Sequence, residues 1–430
     1  MQLPTIALFR SCFGTLRLAE FSSVTQCFYP DRNISWLWDS TCFAYHGGDY
    51  GPSVVQPLPT SLAPEQFARI AHACVTCKGV YQVLGEGTTF QECIDSVERW
   101  SDGQILATIE GTWSMQIEFL GRNRRLHPTE RRERIEAFRH VLGVLSQRTV
   151  DVENPDHELL LLEDCRKLEG EHDPNSTLPT QYYWLLLRVP TTKDDSAESA
   201  TAMVQRSDVR KRAFIDTTTM SADRALLMCN LGLVTKHSRL LDPFCGSGGL
   251  LVAGALLGAR CVGGDIDASL AIQQSKTIAF PKSPHRPLRG VEDVSIMDSF
   301  RELGLAEPSI FAGMDIQSSD TIEQYQTQHT PYDAIVTDPP YGIRETMSSM
   351  DNRAITERLC AVGAILLKPS GRLVYVSVFA STKDDSNSVQ KMLCQELHPQ
   401  ISPYGFQLVH VAVERFTMRL WRATIVLELQ

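Results

Sequence analysis

The chain has 430 residues, a length that predicts two or three domains, each able to bury an ordinary core. Its composition, with 43% hydrophobic and 21% charged residues, excludes a fibre, a disordered chain and a disulfide-rich scaffold. The formal net charge of −10 argues against a protein that coats nucleic acid through bulk electrostatics. A nucleic-acid substrate would need local basic patches.

The N terminus and the cysteines bear on where the protein works. Arg10 and Arg17 interrupt the apolar residues near the N terminus, and no stretch reaches the roughly 18 apolar residues of a membrane span. The close cysteine pair, Cys74 and Cys77, lacks the second pair of ligands that a zinc site needs. We therefore expect a cytoplasmic protein with reduced, buried thiols and no metal site.

The first half of the chain mixes strand and helix patterns. The segments TIALFR and WSMQIEFL have the pattern of strands, whereas Ile135 and Phe138 belong to a run of apolar residues at near-helical spacing. These patterns predict an α+β half. The polar stretch 190–212 then loses all hydrophobic periodicity, which predicts a linker.

After the linker, apolar runs alternate with helical patterns, and two further runs follow each other closely at the C terminus. This order predicts a doubly wound, mostly parallel sheet with an antiparallel hairpin at one edge. Ligands bind such sheets beyond the carboxyl ends of the strands. We expect the segment 320–331, before the fourth strand, to be a surface loop.

The segment LLDPFCGSGG is an apolar strand followed by a glycine-rich turn and the start of a helix. Glycines here allow a ligand to approach the backbone amides closely. A dinucleotide fingerprint would have a third glycine where Leu251 stands, and the Gly-Lys-Ser/Thr of a phosphate loop is missing. Asp242 would repel a pyrophosphate but hold the ammonium of an amino-acid-like cofactor, which favours S-adenosylmethionine.

The next two strands also end in acids. Asp265 can accept hydrogen bonds from both ribose hydroxyls, and Asp315 can accept one from the adenine amino group. Asp298 competes for the second role, but it begins a helix-like segment. We interpret Cys245 as a packing residue, because Asp-Pro-Pro-Tyr occupies the place where ring-carbon methylation would need a cysteine.

The fourth strand is followed by Asp338, Pro339, Pro340 and Tyr341. A carboxylate and a proline-fixed backbone carbonyl can hold the two hydrogens of an exocyclic amine, which localises the nitrogen lone pair for attack on a methyl group. Tyr341 offers a face on which the base can stack. The four residues predict N-methylation of an aminated base.

The segments DPFCGSGGLLVAGALLGARCVGGDID, YDAIVTDPPYGIRE and GRLVYVSVF, together with KRAFIDTTTMSADRALLMCN, resemble the catalytic subunit of the eukaryotic tRNA guanosine-10 N2-methyltransferases. The upstream segments CVTCKGVYQVLGEG and LHPTERRERIEAFRHVL resemble the THUMP-type RNA-binding module of that family. Asp216 replaces a glycine that the family usually has.

The resemblance implies a ferredoxin-like segment at 1–60, a THUMP-like RNA-binding domain at 61–189 and, after the linker, a class I methyltransferase domain at 213–430. It implies S-adenosylmethionine as the methyl donor, the N2 amine of a tRNA guanosine as the acceptor, and a small zinc-binding activator protein as the partner in a heterodimer. The residues that it assigns to the cofactor are Thr219, Asp242, Phe244, Gly246, Gly248, Asp265, Ile266 and Asp315.

An acidic protein that acts on tRNA needs focused basic surface. Two clusters, one in the first half and one in the linker, meet that need. The residues predicted to contact RNA are Arg122, Arg124, Arg125, Arg210, Lys211 and Arg212. Two other functions fit the sequence less well: an adenine-N6 methyltransferase of DNA or RNA, and a non-catalytic RNA-binding scaffold.

Overall fold

The computed structural model describes residues 3–10, 13–14, 16–32, 55–100, 110–120, 126–138, 148–164, 182–191, 197–215, 219–266, 295–329, 331–340, 352–383, 385–418 and 420–430. Contacts divide the chain into two units. The first unit comprises Met1–Cys12, Ile34–His72 and Cys77–Ser196, and the second comprises Phe13–Asn33, Ala73–Thr76 and Ala197–Gln430.

The helices and strands are numbered here in chain order over the described residues. The strands are β1 Thr5–Phe9, β2 Val55–Pro57, β3 Cys77–Gly87, β4 Trp113–Leu120, β5 His157–Asp164, β6 Tyr182–Arg188, β7 Arg239–Asp242, β8 Arg260–Asp265, β9 Ser309–Ala312, β10 Tyr332–Thr337, β11 Leu367–Ala380, β12 Phe406–Arg415 and β13 Leu420–Leu429. The helices are α1 Leu16–Phe28, α2 Pro64–Ala73, α3 Phe90–Trp100, α4 Pro128–Ala137, α5 Ala200–Arg206, α6 Ala222–Leu231, α7 Gly249–Leu256, α8 Ile296–Glu302, α9 Ser319–His329, α10 Asn352–Leu366 and α11 Ser386–Ile401.

The first unit contains one mixed sheet. Its strand order is β2-β1-β3-β6-β5-β4, in which β4 and β5 are parallel and the other neighbours are antiparallel. Leu159 and Leu161 pack into one core cluster and Leu160 and Leu162 into another, because successive side chains of β5 point to opposite faces. The expected α+β half is present, and strands from both sides of the predicted boundary at residues 60 and 61 share this sheet.

The second unit is built on a sheet of order β12-β13-β11-β10-β7-β8-β9. Strands β7 to β11 are parallel to their neighbours in that set, whereas β13 is antiparallel to both β11 and β12. The doubly wound sheet and the edge hairpin that the sequence predicts are therefore confirmed. The strand order reverses between β7 and β10, which is the switch point where such sheets bind ligands.

Helices cover both faces of this sheet, which explains why its central strands are apolar throughout. In β10, Ala334 and Val336 join one core cluster and Ile335 joins the other. All three side chains are at most 1% exposed. The core holds the carboxyl ends of β7, β8 and β10 in fixed register beside one another.

Helix α1 belongs to the second unit although it is distant from the rest of that unit in the sequence. The buried carboxylate of Glu20 accepts hydrogen bonds from the backbone N–H groups of Val75 and Thr76, at 2.8 and 2.9 Å. It also accepts bonds from the Thr76 hydroxyl and from Asn230 Nδ2 of α6, at 2.6 and 2.7 Å. Burial raises the pKa of Glu20, while these four bonds favour its charged form.

A second buried group attaches α1 to the sheet. The Arg372 guanidinium, at the start of the paired part of β11, donates to Ser23 Oγ at 3.0 Å and to Gln26 Oε1 at 2.9 Å. The same group donates to the Leu231 carbonyl and to Glu428 of β13. The hydrogen bonds of Glu20 and Arg372 thus link helix α1 to α6, β11 and β13.

Two expectations about segments need correction. The stretch 320–331 is not a surface loop, because α9 spans most of it and buries the Tyr325 side chain. Residues 200–206, within the predicted linker, form α5, which Ser199 caps by accepting a hydrogen bond from the Ala202 N–H. An N-cap residue stabilises the first turn of a helix, so a short polar segment can form a helix without hydrophobic periodicity. None of the described helices has the length and apolar character needed to cross a bilayer.

We predict that Glu20→Ala unfolds the second unit at markedly lower denaturant concentration. The substitution leaves two N–H groups, a hydroxyl and an amide without their acceptor, which costs about 3 kcal/mol or more. Urea unfolding of the full chain measures the shift. Glu396→Ala, at an exposed position of α11, is the matched control, and an equal midpoint for both variants would contradict the structural role of Glu20.

Candidate functional site

The loop after β7 brings backbone amides to the start of α7. Gly246 and Gly248 have φ values of 46° and 76°, in the left-handed region that residues with a Cβ rarely adopt. Gly248 is the N-cap of α7. A Cβ added to Gly246 would meet no described atom within 4 Å. The loop therefore borders open space at a helix N-terminus, which suits a ligand that approaches the backbone.

Asp242 ends β7 and is 1% exposed. Its Oδ1 atom accepts a hydrogen bond from the Thr337 hydroxyl at 2.7 Å and one from the Phe244 N–H at 3.2 Å. Burial raises the pKa of Asp242 to about 7, and the charges of Asp338 and Asp265 contribute in the same direction. Three carboxylates therefore interact at the ends of β7, β8 and β10, and a bound cation would relieve their repulsion.

Asp265 ends β8 and faces the glycine loop. Its Oδ2 atom accepts a hydrogen bond from the Gly246 N–H at 2.9 Å. The backbone carbonyl of Asp265 accepts from the Met314 N–H at 2.8 Å, which brings the residues after β9 beside the end of β8. Asp315 follows, half-buried, and its Oδ1 atom accepts from the Gln317 N–H. The acids that the sequence places after three strands thus lie along one edge of the sheet.

The remaining predicted cofactor residues surround the same loop. Phe244 is partly buried against the core cluster below it, whereas Ile266 directly follows Asp265 and is 43% exposed. The Thr219 hydroxyl lies 2.7 Å from the Ser247 hydroxyl of the loop. Asp298, the alternative candidate for the adenine, accepts from Ser295 as part of the capping box of α8.

The catalytic candidates follow β10. Asp338 is half-buried, and Pro339 is buried behind it. Tyr341 lies outside the described residues, as do Asp216, Thr217 and Thr218. The hydroxyl of Thr337, the residue just before Asp338, donates to Asp242, so a hydrogen bond links the end of β10 to the end of β7. Cys245 is 4% exposed and belongs to a buried core cluster, and burial raises the pKa of its thiol above the ordinary value. This position agrees with its interpretation as a packing residue.

Of the residues predicted to contact RNA, Arg122, Arg124 and Arg125 lie outside the described part. Arg210 and Lys211 are exposed, and Arg210 forms an ion pair with Asp208. The prediction for Arg212 needs correction. This side chain is 3% exposed and donates to the Ser247 carbonyl at 2.5 Å, so it supports the glycine loop from below.

A shallow groove of about 210 Å³ lies on the sheet of the first unit. Its lining contains three cations, Arg10, Lys78 and Arg188, and two carboxylates. Lys78 and Arg188 form ion pairs with Glu118 and Glu158 respectively, each at 2.7 Å. None of the lining residues belongs to the basic clusters that the sequence predicts.

Sequence reasoning missed Thr337 and Ser247. Thr337 immediately precedes Asp338. A polar residue that follows the apolar run Ala334–Val336 at the end of its strand could have indicated a role in the site. Ser247 stands between two glycines of the loop, where its polar atoms contact Thr219 and Arg212. Nothing in the local sequence indicates those two partners.

The sheet order, the glycine-rich loop after its first parallel strand and the acids after the next three define the second unit as an α/β domain of the class I methyltransferase type. Residues 209–405 match the family model UPF0020, described as the RMKL-like methyltransferase domain. That match lies wholly within the second unit.

The chain is similar to named tRNA methyltransferases. It is 29% identical over 290 residues to tRNA (guanine(10)-N(2))-methyltransferase TRMT11 of Bos taurus, covering 66% of this chain and 57% of that protein. It is 27% identical over 277 residues to the Saccharomyces cerevisiae tRNA (guanine(10)-N(2))-methyltransferase, covering 64% and 55%. The chain thus spans a little more than half the length of these curated relatives. The crystal structure of TrmN from Thermus thermophilus aligns over all of both chains with 15% identity and a TM-score of 0.44.

We predict that the stability difference between the wild-type protein and Asp242→Asn depends on pH. The folded-state pKa of about 7 exceeds the ordinary 3.8, so the folded protein retains this proton as pH rises. The resulting stabilisation is complete below about pH 4 and is lost as pH passes through 7. Asparagine has no charged form to bury, so the variant should gain about 2 kcal/mol on the wild type between pH 5 and 8.

Urea unfolding of the ligand-free protein at several pH values measures this difference. Asp320→Asn, at an exposed position of α9, is the matched control and should track the wild type at every pH. A constant difference between the wild type and Asp242→Asn across the range would show that Asp242 titrates normally.

Proposed function

We propose that the protein transfers a methyl group from S-adenosylmethionine to the exocyclic N2 amine of a guanosine in tRNA. The observation that carries the proposal is the convergence of Asp242, Asp265 and Asp338 at the switch point of the sheet, around a loop with open space before Gly246. The names of the curated relatives supply the substrate. By the position in those names, the modified nucleotide is guanosine 10.

The residues present fit this cofactor. The Asp265 carboxylate accepts from the Gly246 amide, which places it beside the glycine loop, and a carboxylate has several acceptor positions suited to ribose hydroxyls. Asp242, which is buried among other acids, would be stabilised in its charged form by an ammonium. Asp315 would accept from the adenine amino group. The bound cofactor supplies an electrophilic methyl group, so the protein needs no nucleophile of its own.

Asp338 and the backbone carbonyl beside it would hold the two amino hydrogens of guanine. Both are acceptors, so they orient the nitrogen lone pair away from the ring and toward the methyl carbon. After methyl transfer the nitrogen would have one proton to release, and the Asp338 carboxylate would be the adjacent base that accepts it. The prolines restrict the backbone so that the carbonyl keeps its direction. Tyr341 would stack on the extruded base.

We propose further that the first unit is a THUMP-like module that binds tRNA by shape and phosphate contacts. Its distance from the catalytic loop would then select the nucleotide. Arg122, Arg124, Arg125, Arg210 and Lys211 remain the proposed RNA contacts. A small zinc-binding activator protein would bind as partner in a heterodimer, and the complex would act in the cytoplasm.

Nucleoside mass spectrometry tests the proposal. Unmodified tRNA is incubated with the protein, the activator and methyl-labelled S-adenosylmethionine, and is then digested to nucleosides. We expect labelled N2-methylguanosine. Labelled N6-methyladenosine instead would support an adenine methyltransferase, and the absence of any label, with no cofactor binding, would support an RNA-binding scaffold.

Asp338→Asn should abolish turnover and leave cofactor affinity within a few-fold of the wild type. The amide keeps the volume of the side chain but replaces one acceptor by a donor, which would face the amino hydrogens of the substrate. Single-turnover assays and calorimetry with S-adenosylhomocysteine measure the two quantities. Asp320→Asn again serves as the control. A large loss of cofactor affinity in Asp338→Asn would contradict the separation of roles between Asp338 and the glycine loop.

A further inference from the structure

Helix α9 contributes a buried tyrosine to the floor of the site. The Tyr325 side chain is 1% exposed and packs edge-on against Phe311 of β9, with ring centroids 5.9 Å apart. Its hydroxyl lies against the backbone of Gly264. A Cβ added there would come within 1.6 Å of the hydroxyl oxygen. Position 264 must therefore be glycine for the tyrosine to occupy this place.

Gly264 is the residue immediately before Asp265, so the hydroxyl lies at the carboxyl end of β8, where the site begins. Burial raises the pKa of Tyr325, and the neighbouring Cys245, Tyr332, Asp242 and Asp265 raise it further, in that order. The two carboxylates are therefore within electrostatic reach of the hydroxyl, as are Cys245 and Tyr332. Helix α9 also starts four residues after Asp315, the position assigned to the adenine. Through Tyr325 it contacts Gly264, next to Asp265, the position assigned to the ribose.

The hydroxyl has no hydrogen-bond partner among the described residues. Leaving a buried hydroxyl unpaired costs about 1–3 kcal/mol, whereas phenylalanine would fill the same volume at no such cost. A tyrosine is favoured at this position if its partner arrives with a ligand. The Thr337 hydroxyl and the Phe244 and Gly246 amides already donate to Asp242 and Asp265, whereas the Tyr325 hydroxyl is a donor with no acceptor among the described residues.

Resting on the function proposed above, we propose that the Tyr325 hydroxyl is a further cofactor-contacting group that donates a hydrogen bond to the nucleoside half of S-adenosylmethionine. Asp265 and Asp315 accept from that half, and Tyr325 would supply the complementary donor from the opposite side of β8. The amino-acid half, assigned to Asp242 and the glycine loop, would not depend on it.

The chain offers a matched control. Tyr332 is also fully buried, and its hydroxyl also has no partner among the described residues. It begins β10, whereas the site lies beyond the last residue of that strand, Thr337. Tyr332 lies within electrostatic reach of the Tyr325 hydroxyl. Tyr332→Phe nevertheless removes a hydroxyl from the start of β10 and not from the end of β8, where the cofactor contact is proposed.

The test is calorimetric titration of the full chain with S-adenosylhomocysteine and with 5′-methylthioadenosine, which lacks the amino-acid half. For Tyr325→Phe we expect the Kd of both ligands to rise about 3- to 10-fold, the value of one hydrogen bond. The unfolding midpoint without ligand should be unchanged or higher. Tyr332→Phe should leave both Kd values unchanged, and Asp242→Asn should weaken binding of S-adenosylhomocysteine only.

Equal Kd values for the wild type and Tyr325→Phe would overturn the inference, as would a loss that affects S-adenosylhomocysteine but not 5′-methylthioadenosine. A lowered unfolding midpoint with unchanged affinity would assign the hydroxyl a structural role instead. If the wild type binds neither ligand, even with the activator present, the proposed function itself fails. This result is distinguishable from the others, because in each of them the wild type binds S-adenosylhomocysteine.

Discussion

A carboxylate buried at the end of the first parallel strand constrains the whole site. Asp242 has lost nearly all contact with water, and among the described residues the Thr337 hydroxyl and the Phe244 amide donate hydrogen bonds to its carboxylate. Both groups must be held in place, which requires β7 and β10 to be adjacent and the glycine loop to turn sharply. The reversal of strand order at this point meets the first requirement, and the left-handed glycines meet the second.

The catalytic and cofactor loops are thereby coupled. Because Thr337 bonds Asp242 and precedes Asp338, a shift of either loop disturbs the other. A cationic ligand beside Asp242 would favour its charged form, which strengthens the hydrogen bond from Thr337. Occupancy of the proposed cofactor site would in this way help to fix the position of Asp338, the residue proposed to hold the methyl acceptor.

Much of the second unit could be predicted from the sequence. Its parallel strands are continuous apolar runs, and the functional acids follow them directly, so pattern and chemistry coincide at Asp242, Asp265 and Asp338. The place of α1 could not be predicted, because it depends on contacts such as that between Glu20 and Asn230, which are 210 residues apart. The same holds for Arg212, whose cluster of charges indicates a surface but whose partner is a backbone carbonyl in a distant loop.

Helix α9 is a buried element that the sequence pattern did not predict. Its polar composition conceals Tyr325, which packs on a glycine of β8, and Ile322, which is partly buried against the same core cluster. Two apolar residues are too few to give a clear periodic pattern. The four carboxylates of the site were visible in the sequence, whereas the groups that pair with them or lie beneath them were not. A hydroxyl or backbone donor that pairs with an acid cannot be recognised from the sequence, because the pairing exists only once the fold brings the two groups together.

A crystal structure of the protein with S-adenosylhomocysteine tests the central claim most directly. We expect the ligand to lie across the ends of β7, β8 and β9, with its ribose hydroxyls on Asp265, its adenine beside Asp315 and its ammonium toward Asp242. The sulfur should point toward Asp338. Density for the ligand at another position, or a sulfur that faces away from Asp338, would contradict the assignment of this edge of the sheet as the methyl-transfer site.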